Sequence, residues 1–370
     1  MHDTRSDLHD LRSELTCDTW SQRPQLTVRR TAMPRPGTGQ VLVRVDATSV
    51  NPIDVKRAAG YGRRLLGLKG AAKLPVVLGN DLAGVVEEVG PGASRFTRNQ
   101  AVFGLVGTGR AGGAHASHVV VSQEQLLAAP ASMASTSLAV LPYSFTTMWL
   151  ALASTGLRPS NATGARVLIN GANGGLGRLA LHLLGAWGSR VTAICAEGTR
   201  QDCLELGAEL AVERGPGCIE SLPADYHVVL NFGSWDDDAS LTSRLRVDAT
   251  GHATTVHPLL ANFDRLGWLQ GALASRRDWT SVRSLVARRA PRARYSWTVF
   301  KPDREALETL AHGVRERGLS LPVGLTVQFE AAEAAFEHVA SGRPGARCFC
   351  RTTDHPCSSA ATSTLSGGFR

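Results

Sequence analysis

VLINGANGGLG, residues 167–177, carries an apolar run into four glycines within seven residues. Around and beyond them, Leu176, Leu179, Ala180, Leu183, Leu184 and Trp187 repeat at helical spacing and mark one buried face of a helix that Gly188 can end. The glycines therefore lie between a strand and the N-terminus of a helix, where backbone N–H groups lack a partner inside the helix and favour an anion. Gly171 and Gly174 permit a tight turn and close backbone approach, Gly177 lets the helix pack on the sheet, and the N–H groups near Gly175 and Leu176 can face a pyrophosphate. A bare turn has no use for glycine at 171, 174 and 177 together. The pattern reads as a dinucleotide site.

The flanking sequence alternates strand and helix: RVLIN (166–170), a helix over 176–187, RVTAIC (190–195), a helix over 199–206, then ELAVE (209–213) and HVVLNF (227–232). That rhythm predicts a doubly wound parallel sheet, a Rossmann domain over 143–300 in an α/β protein. Before it, residues 25–142 read as antiparallel β: VLVRV (41–45) alternates, AGVVEEVG (83–90) ends in a Gly-Pro-Gly turn, and HVVVS (118–122) follows RAGGAHA. Leu307, Leu310, Ala311 and Val314 predict a helix within 302–318, after which VGLTVQF and ARCFC return to strand. Residues 301–351 are thus expected to rejoin the first domain, with 1–24 as a polar lead-in and 352–370 as a disordered tail.

A chain of 370 residues with 43% hydrophobic content can fill two cores. Its net charge of +8 comes almost wholly from arginine, since only Lys56, Lys69, Lys73 and Lys301 are lysine. The densest basic stretch, RRDWTSVRSLVARRAPRAR (276–294), lacks the aromatic interleaving and motifs of nucleic-acid binders and reads as a solvated helix face. The 7 cysteines are odd in number and contain no C-x-x-C pair, so neither a zinc ribbon nor a closed disulfide framework is suggested. Reduced thiols in a cytoplasmic setting are expected, with Cys348 and Cys350 as buried small hydrophobes on one face of a strand. No apolar stretch of about 18 residues is evident. The first 18 residues lack the apolar region of a signal peptide and make no convincing transit peptide.

The second strand of the nucleotide domain ends at Cys195, where readers of NAD place an acid for the ribose hydroxyls. Here Glu197 follows two positions later, Thr199 and Arg200 open the next helix, and Arg214 follows the third strand. Guanidinium groups match phosphate oxygens in pairs, so Arg200 and Arg214 point to the 2′-phosphate of NADPH, with Glu197 as the evidence for NADH.

SVNPIDVKRAAGYG (49–62), LGNDLAGVVEEVG (78–90), LPYSFTTMW (141–149), HPLLANFDRLG (257–267) and RYSWTVF (294–300) resemble, in that order, segments of the medium-chain dehydrogenase/reductase superfamily and of its zinc-free quinone oxidoreductase branch. The last two, with Tyr61-Gly62, are similar to the branch's reticulon-interacting mitochondrial group, which depends on NADPH. The resemblance covers about residues 25–351. It implies a GroES-like β-rich catalytic domain joined to the Rossmann domain, and a homodimer paired through the nucleotide domain's edge strand. Zinc members carry a Cys in the first segment and His-Glu in the second, where this chain has Asn51 and Asn80-Asp81. No Cys cluster for a structural zinc lies between 85 and 130, and His115 and His118 are expected to be ordinary strand residues.

Without a Lewis acid, hydride addition to a conjugated acceptor is the accessible chemistry, because the charge spreads into an enolate or hydroquinone anion. By resemblance, Asn51 and Thr147 border the nicotinamide and Tyr61 stands at the substrate mouth, either as a donor to the acceptor oxygen or as a packing aromatic. Lys56 departs from the branch, as an anion-binding electrophile or a surface lysine, and Asn231 stands where the mitochondrial group has an acid. The implied function is NADPH-dependent reduction of a quinone or α,β-unsaturated carbonyl. A pathway-specific enoyl reductase and a cofactor-bound partner or sensor without turnover are the alternatives.

Overall fold

The computed structural model describes residues 11–109 and 112–342, together with the backbone of 346–350. In the first part, β1 (Leu11–Cys17) pairs antiparallel with β2 (Leu26–Ala32) and with the short β4 (Val76–Val77). The long β3 (Gln40–Val50) is flanked along one edge by β5 (Asp81–Val89), and the first half of its other edge pairs with β7 (His118–Ser122). Strands β6 (Ala101–Leu105) and β8 (Leu126–Ala128) extend the sheet beyond β5. Helices α1 (Pro52–Ala58) and α2 (Arg63–Gly67) follow β3, and α3 (Ser135–Leu138), α4 (Pro142–Ser154) and α5 (Pro159–Ala162) lead into the second sheet.

β1 falls inside the stretch expected to be a polar lead-in. Leu15 and Cys17 are buried with Val50, Ala58, Val76 and Leu78, but only two apolar side chains of a seven-residue strand carry that burial. This is too little to stand out among charged neighbours.

The second sheet is built from β9 (Arg166–Asn170), α6 (Gly175–Ala186), β10 (Arg190–Cys195), α7 (Arg200–Glu205), β11 (Leu210–Glu213), β12 (Val228–Asn231), α8 (Asp238–Thr242), β13 (Gly251–Thr254), α9 (Leu259–Arg289) and β14 (Arg294–Trp297). Its order is β11-β10-β9-β12-β13-β14 and every pairing is parallel. Val167, Leu168, Ile169, Val228, Val229 and Leu230 are all fully buried, because this sheet packs apolar residues on both faces. The order reverses between β9 and β12, which opens a crevice at the carboxyl ends of the strands.

The basic stretch forms the C-terminal half of α9, where Val282 and Val286 turn inward and Arg276, Arg277, Arg283 and Arg288 are exposed. Next come α10 (Arg304–Arg317), β15 (Val323–Gln328), α11 (Ala332–Ala340) and β16 (Ala346–Cys350), which pairs with β3 and so returns the chain to the first sheet. The side chains of Cys348 and Cys350 and the tail at 352–370 lie outside the described residues.

Ser135–Ser154, which covers α3 and α4, is long and apolar enough to cross a membrane by length and composition only, and 72% of its most apolar 18-residue window is buried inside the protein. It serves as core. Phe145, Met148 and Leu152 of α4 belong to one cluster with Phe103 and Leu105 of the first sheet and with Leu179 and Leu183 of α6. α4 thus joins the two sheets through shared apolar burial.

A Cβ built on Gly177 would stand 2.4 Å from Gly171 O and 2.5 Å from Ala172 Cα. Both neighbours are backbone and cannot swing aside, so Gly177→Ala is expected to cost about 1–3 kcal/mol, read as a lower urea midpoint at unchanged slope.

Candidate active site

The four glycines of the opening stretch divide by what demands them. Gly171 has φ +83° and its Cβ would lie 3.0 Å from Gly233 N and Phe232 C, so conformation and space both exclude a side chain. Gly177 is required by the pressure of α6 on the loop. Gly174, the N-cap of α6 at φ −74°, and Gly175 are exposed. A Cβ on Gly174 would meet only Gly171 O at 3.4 Å, and one on Gly175 only Ser144 Oγ at 3.7 Å and Leu321 Cδ1 at 3.8 Å. No packing explains these two glycines. They leave open space, a cradle, at the N-terminus of α6, where the first-turn N–H groups, including that of Leu176, have no acceptor within the helix.

The loop after β10 is tied down by its neighbours: Ala196 N donates to Asn173 Oδ1 at 3.0 Å, Gly198 N to Glu213 Oε1 at 2.9 Å, and Thr199 Oγ1 to Ala196 O at 2.7 Å. Arg200 is exposed at the start of α7, as is Glu197 in the loop. Arg214 has partners elsewhere. Its Nη2 donates to Asn170 Oδ1 at 2.7 Å and its Nη1 pairs with Asp237 Oδ2 at 3.1 Å, so its expected place at a 2′-phosphate gives way to one across the strand ends.

Asn170 and Asn231 stand opposite each other in register at the switch point, joined by a 3.0 Å bond from Asn170 Nδ2 to Asn231 Oδ1. Asn231 Nδ2 donates to Asp238 Oδ1 at 2.9 Å. This gives the amide of Asn231 a structural reason in this chain: an acid there would confront the fully buried Asp238. That carboxyl also meets His252 Nε2 at 3.0 Å and accepts from Tyr295 OH at 2.6 Å.

A second hub lies at the end of β3. Asp81 accepts from Ser49 Oγ at 2.6 Å, Asn51 Nδ2 at 2.8 Å and Tyr143 N at 2.5 Å. Burial pushes its carboxyl up to about 7, against the pull of these donors. Asp54 accepts from Asn51 N at 2.8 Å and Gly79 N at 3.0 Å. His115 Nε2 lies 2.9 Å from Ser49 O, and burial lowers its pKa and keeps it neutral. Among the described residues no three His, Cys, Asp or Glu side chains converge as a metal site.

Beside this hub a 480 Å³ cleft opens between the sheets. Tyr61 and Thr147 line it, and Thr147 sits one turn along α4 from Ser144, which neighbours the Gly175 cradle. Asn51 is not among the lining residues, its side chain being held by Ser49 and Asp81. Lys56 is also absent: it is exposed, with Nζ 5.8 Å from the Tyr61 ring centroid. The phase of α1 is the reason, since Ile53 and Arg57, four apart, reach the cleft instead. Arg57 is buried, its Nη2 donating to Ala71 O at 2.9 Å. Burial and the nearby Asp264 hold Tyr61 protonated above the usual phenol range. The Asp264 carboxylate accepts from Gly62 N and from Arg64 N, clasping the loop around Tyr61 to α9. Asn80 lines the cleft as well, together with Tyr143, His257 and Thr298, which the sequence reading passed over. The segments LPYSFTTMW and HPLLANFDRLG contained Tyr143 and His257 without marking either.

The alcohol dehydrogenase GroES-like domain family matches residues 37–131. The chain is 31% identical over 326 residues to the mitochondrial NAD(P)H oxidoreductase RTN4IP1 of Bos taurus, covering 82% of this chain and 79% of that protein. It is 30% identical to the mitochondrial reticulon-4-interacting protein 1 of Caenorhabditis elegans, with 81% and 85% covered. The chain belongs to the medium-chain dehydrogenase/reductase superfamily, among the relatives of these NAD(P)H oxidoreductases. The structure of the quinone oxidoreductase from Coxiella burnetii superposes with a TM-score of 0.76 at 20% identity, over 92% of this chain and 100% of that one. This likeness establishes the same two-domain fold. The expected cytoplasmic setting is overturned by the relatives, which are mitochondrial proteins.

Gly174→Ala should leave thermal stability nearly unchanged while weakening dinucleotide binding severalfold by titration, because the methyl enters the cradle and no protein atom. For Asp81, whose folded pKa is raised, the contribution to stability is full below the unfolded value near 4 and is lost as pH rises through about 7. Chemical unfolding between pH 5 and 8 should show a loss that Asp81→Asn lacks. That variant should be less stable at pH 5 by about 1–3 kcal/mol, since one amide oxygen cannot serve three donors.

Proposed function

We propose that the protein is an NADPH-dependent, zinc-independent reductase that delivers hydride to a quinone or α,β-unsaturated carbonyl. The observation that carries this reading is the cleft, whose wall of Ile53, Leu66, Val106, Leu260, Val299 and Phe300 suits a flat conjugated acceptor beside the cradle of Gly174 and Gly175. Bound there, a nicotinamide cofactor supplies the hydride. Tyr61, kept protonated, offers a hydrogen bond to the acceptor oxygen, and Arg57 provides positive charge for the anion that forms. Where zinc relatives place metal ligands, Asn51 and Asp81 are bonded to each other and Asn80 Nδ2 donates to Val106 O at 3.1 Å, which favours a metal-free route. The names of the mitochondrial relatives and of the Coxiella protein support the same reading.

Chelator-treated protein should oxidise NADPH in the presence of at least one member of a quinone and enone panel. Oxidation with none of them, or only after zinc is restored, refutes the proposal.

For the choice of NADPH, Arg200 is the supporting residue, exposed and without an acidic partner among the described residues. Arg200→Ala should weaken NADPH roughly 10-fold, about 1.4 kcal/mol, and spare NADH. Equal losses for both cofactors would remove the phosphate role. Pairing of two copies along β14, which ends its sheet, is the expected assembly. A mass in solution near one chain counts against it.

A further inference from the structure

The face made by α2 and α9 leaves large apolar side chains exposed to solvent. α9 is broken at Gly267 (φ +79°, ψ −169°), and its two legs fold onto one another. Asn262 Nδ2 on the first leg donates to Ser275 Oγ at 3.3 Å and to Asp278 Oδ2 at 2.9 Å on the second, and a Cβ on Gly271 would stand 2.8 Å from Phe263 Cα. With Gly271, Ser275 and Asp278 turned to the first leg, the helical period turns Leu269, Leu273 and Arg276 outward. Leu269 is 75% exposed, Leu273 59% and Trp268, beside the break, 47%. Leu68, just after α2, is 73% exposed. Asp264 on the first leg accepts from Gly62 N and Arg64 N and so fixes α2 against α9, which makes the two elements that carry these side chains neighbours.

A lone exposed leucine is ordinary, but four large apolar side chains on two adjoining elements form a patch that asks for a partner. The charge around it has one sign. Residues 63–69 and 259–280 carry the exposed cations Arg63, Arg64, Lys69, Arg265, Arg276 and Arg277. The two acids in these stretches, Asp264 and Asp278, are engaged in the bonds that hold the legs and α2 together. A second copy meeting this face about a two-fold axis would set cation against cation. An anionic bilayer offers hydrocarbon to the leucines and the indole and phosphate to the cations at the same time. We propose that the α2–α9 face docks on an anionic phospholipid bilayer, with Trp268, Leu269 and Leu273 entering the interface and the neighbouring cations on the headgroup phosphates. Leu66 and Lys69 on one side, and Leu259 and Leu260 on the other, also line the cleft. The docked protein therefore holds its cleft beside the bilayer, where a lipid-soluble acceptor is concentrated. That consequence rests on the reaction proposed above, whereas the docking does not.

The test is co-sedimentation of the full chain with vesicles of phosphatidylcholine alone and of equal parts phosphatidylcholine and phosphatidylglycerol. Binding should appear on the mixed vesicles, weaken as salt is raised and be slight on the neutral ones. Arg265→Gln should lower the affinity about 5-fold. Leu269→Gln together with Leu273→Gln should lower it roughly 10-fold at an unchanged melting temperature, since both side chains are exposed. Phosphatidylcholine brominated on its acyl chains should quench the fluorescence of bound wild-type protein, and Trp268→Phe should remove most of that quenching. Binding to neither vesicle overturns the bilayer as occupant in favour of an acidic protein surface. Affinity unmoved by the leucine pair, or quenching that persists in Trp268→Phe, also overturns the proposal. If the leucine variant instead turns a dimer into a monomer in the absence of vesicles, the face is an interface between copies of this chain and the membrane role is refuted. Vesicle binding needs neither cofactor nor acceptor, so failure of every acceptor in the panel would refute the proposed reaction and leave this result standing.

Discussion

The carboxylate of Asp81 is the constraint on which the two-domain arrangement depends. It begins β5, receives Ser49 and Asn51 from the end of β3, and accepts the N–H of Tyr143 in the first turn of α4. α4 has no side-chain N-cap of its own, since Leu141 occupies that position, so Asp81 supplies the missing acceptor from 62 residues away. α4 is also the element whose apolar face is shared between the sheets. One buried acid therefore ties the start of α4 to the ends of β3 and β5, beside the cleft. The resemblance puts a metal ligand of zinc relatives at this place. Here the same position is used to hold a helix.

Elements whose signal is long and periodic were legible. The stripe of α6 and the apolar runs of β9, β10 and β12 repeat often enough to declare themselves, and the glycines fix the turn between them. β1 was not legible because its burial depends on Val76 and Leu78 more than 50 residues away, which no local pattern reveals. Lys56 stands out in the sequence as a departure from the branch, with an anion-binding role or a plain surface position both open. The helical phase of Ile53 and Arg57 was available in the sequence and decides for the surface position.

Arg214 failed for a different reason. A long side chain after a strand can reach in several directions, and the presence of Asp237 and Asn170 across the sheet end determines which one is taken. His257 and Thr298 were passed over because they are 41 residues apart and become adjacent only when β13 and β14 pair. A site composed from two strand ends has no signature in either one.

The two polar clusters of the nucleotide domain show how closure separates structure from function. At the switch point Asn170, Asn231, Arg214, Asp237, Asp238 and His252 bond to one another, and each amide group finds its complement inside the protein. The wall of His257 and Thr298 is tied to the first cluster through Trp297 and Tyr295, yet each of its two residues leaves a polar atom unmet. Burying an acceptor without a donor costs about 1–3 kcal/mol, and the His257 ring, stacked on Trp297, cannot turn to avoid it. The satisfied cluster holds the ring in the orientation that leaves its Nδ1 without a partner inside the protein.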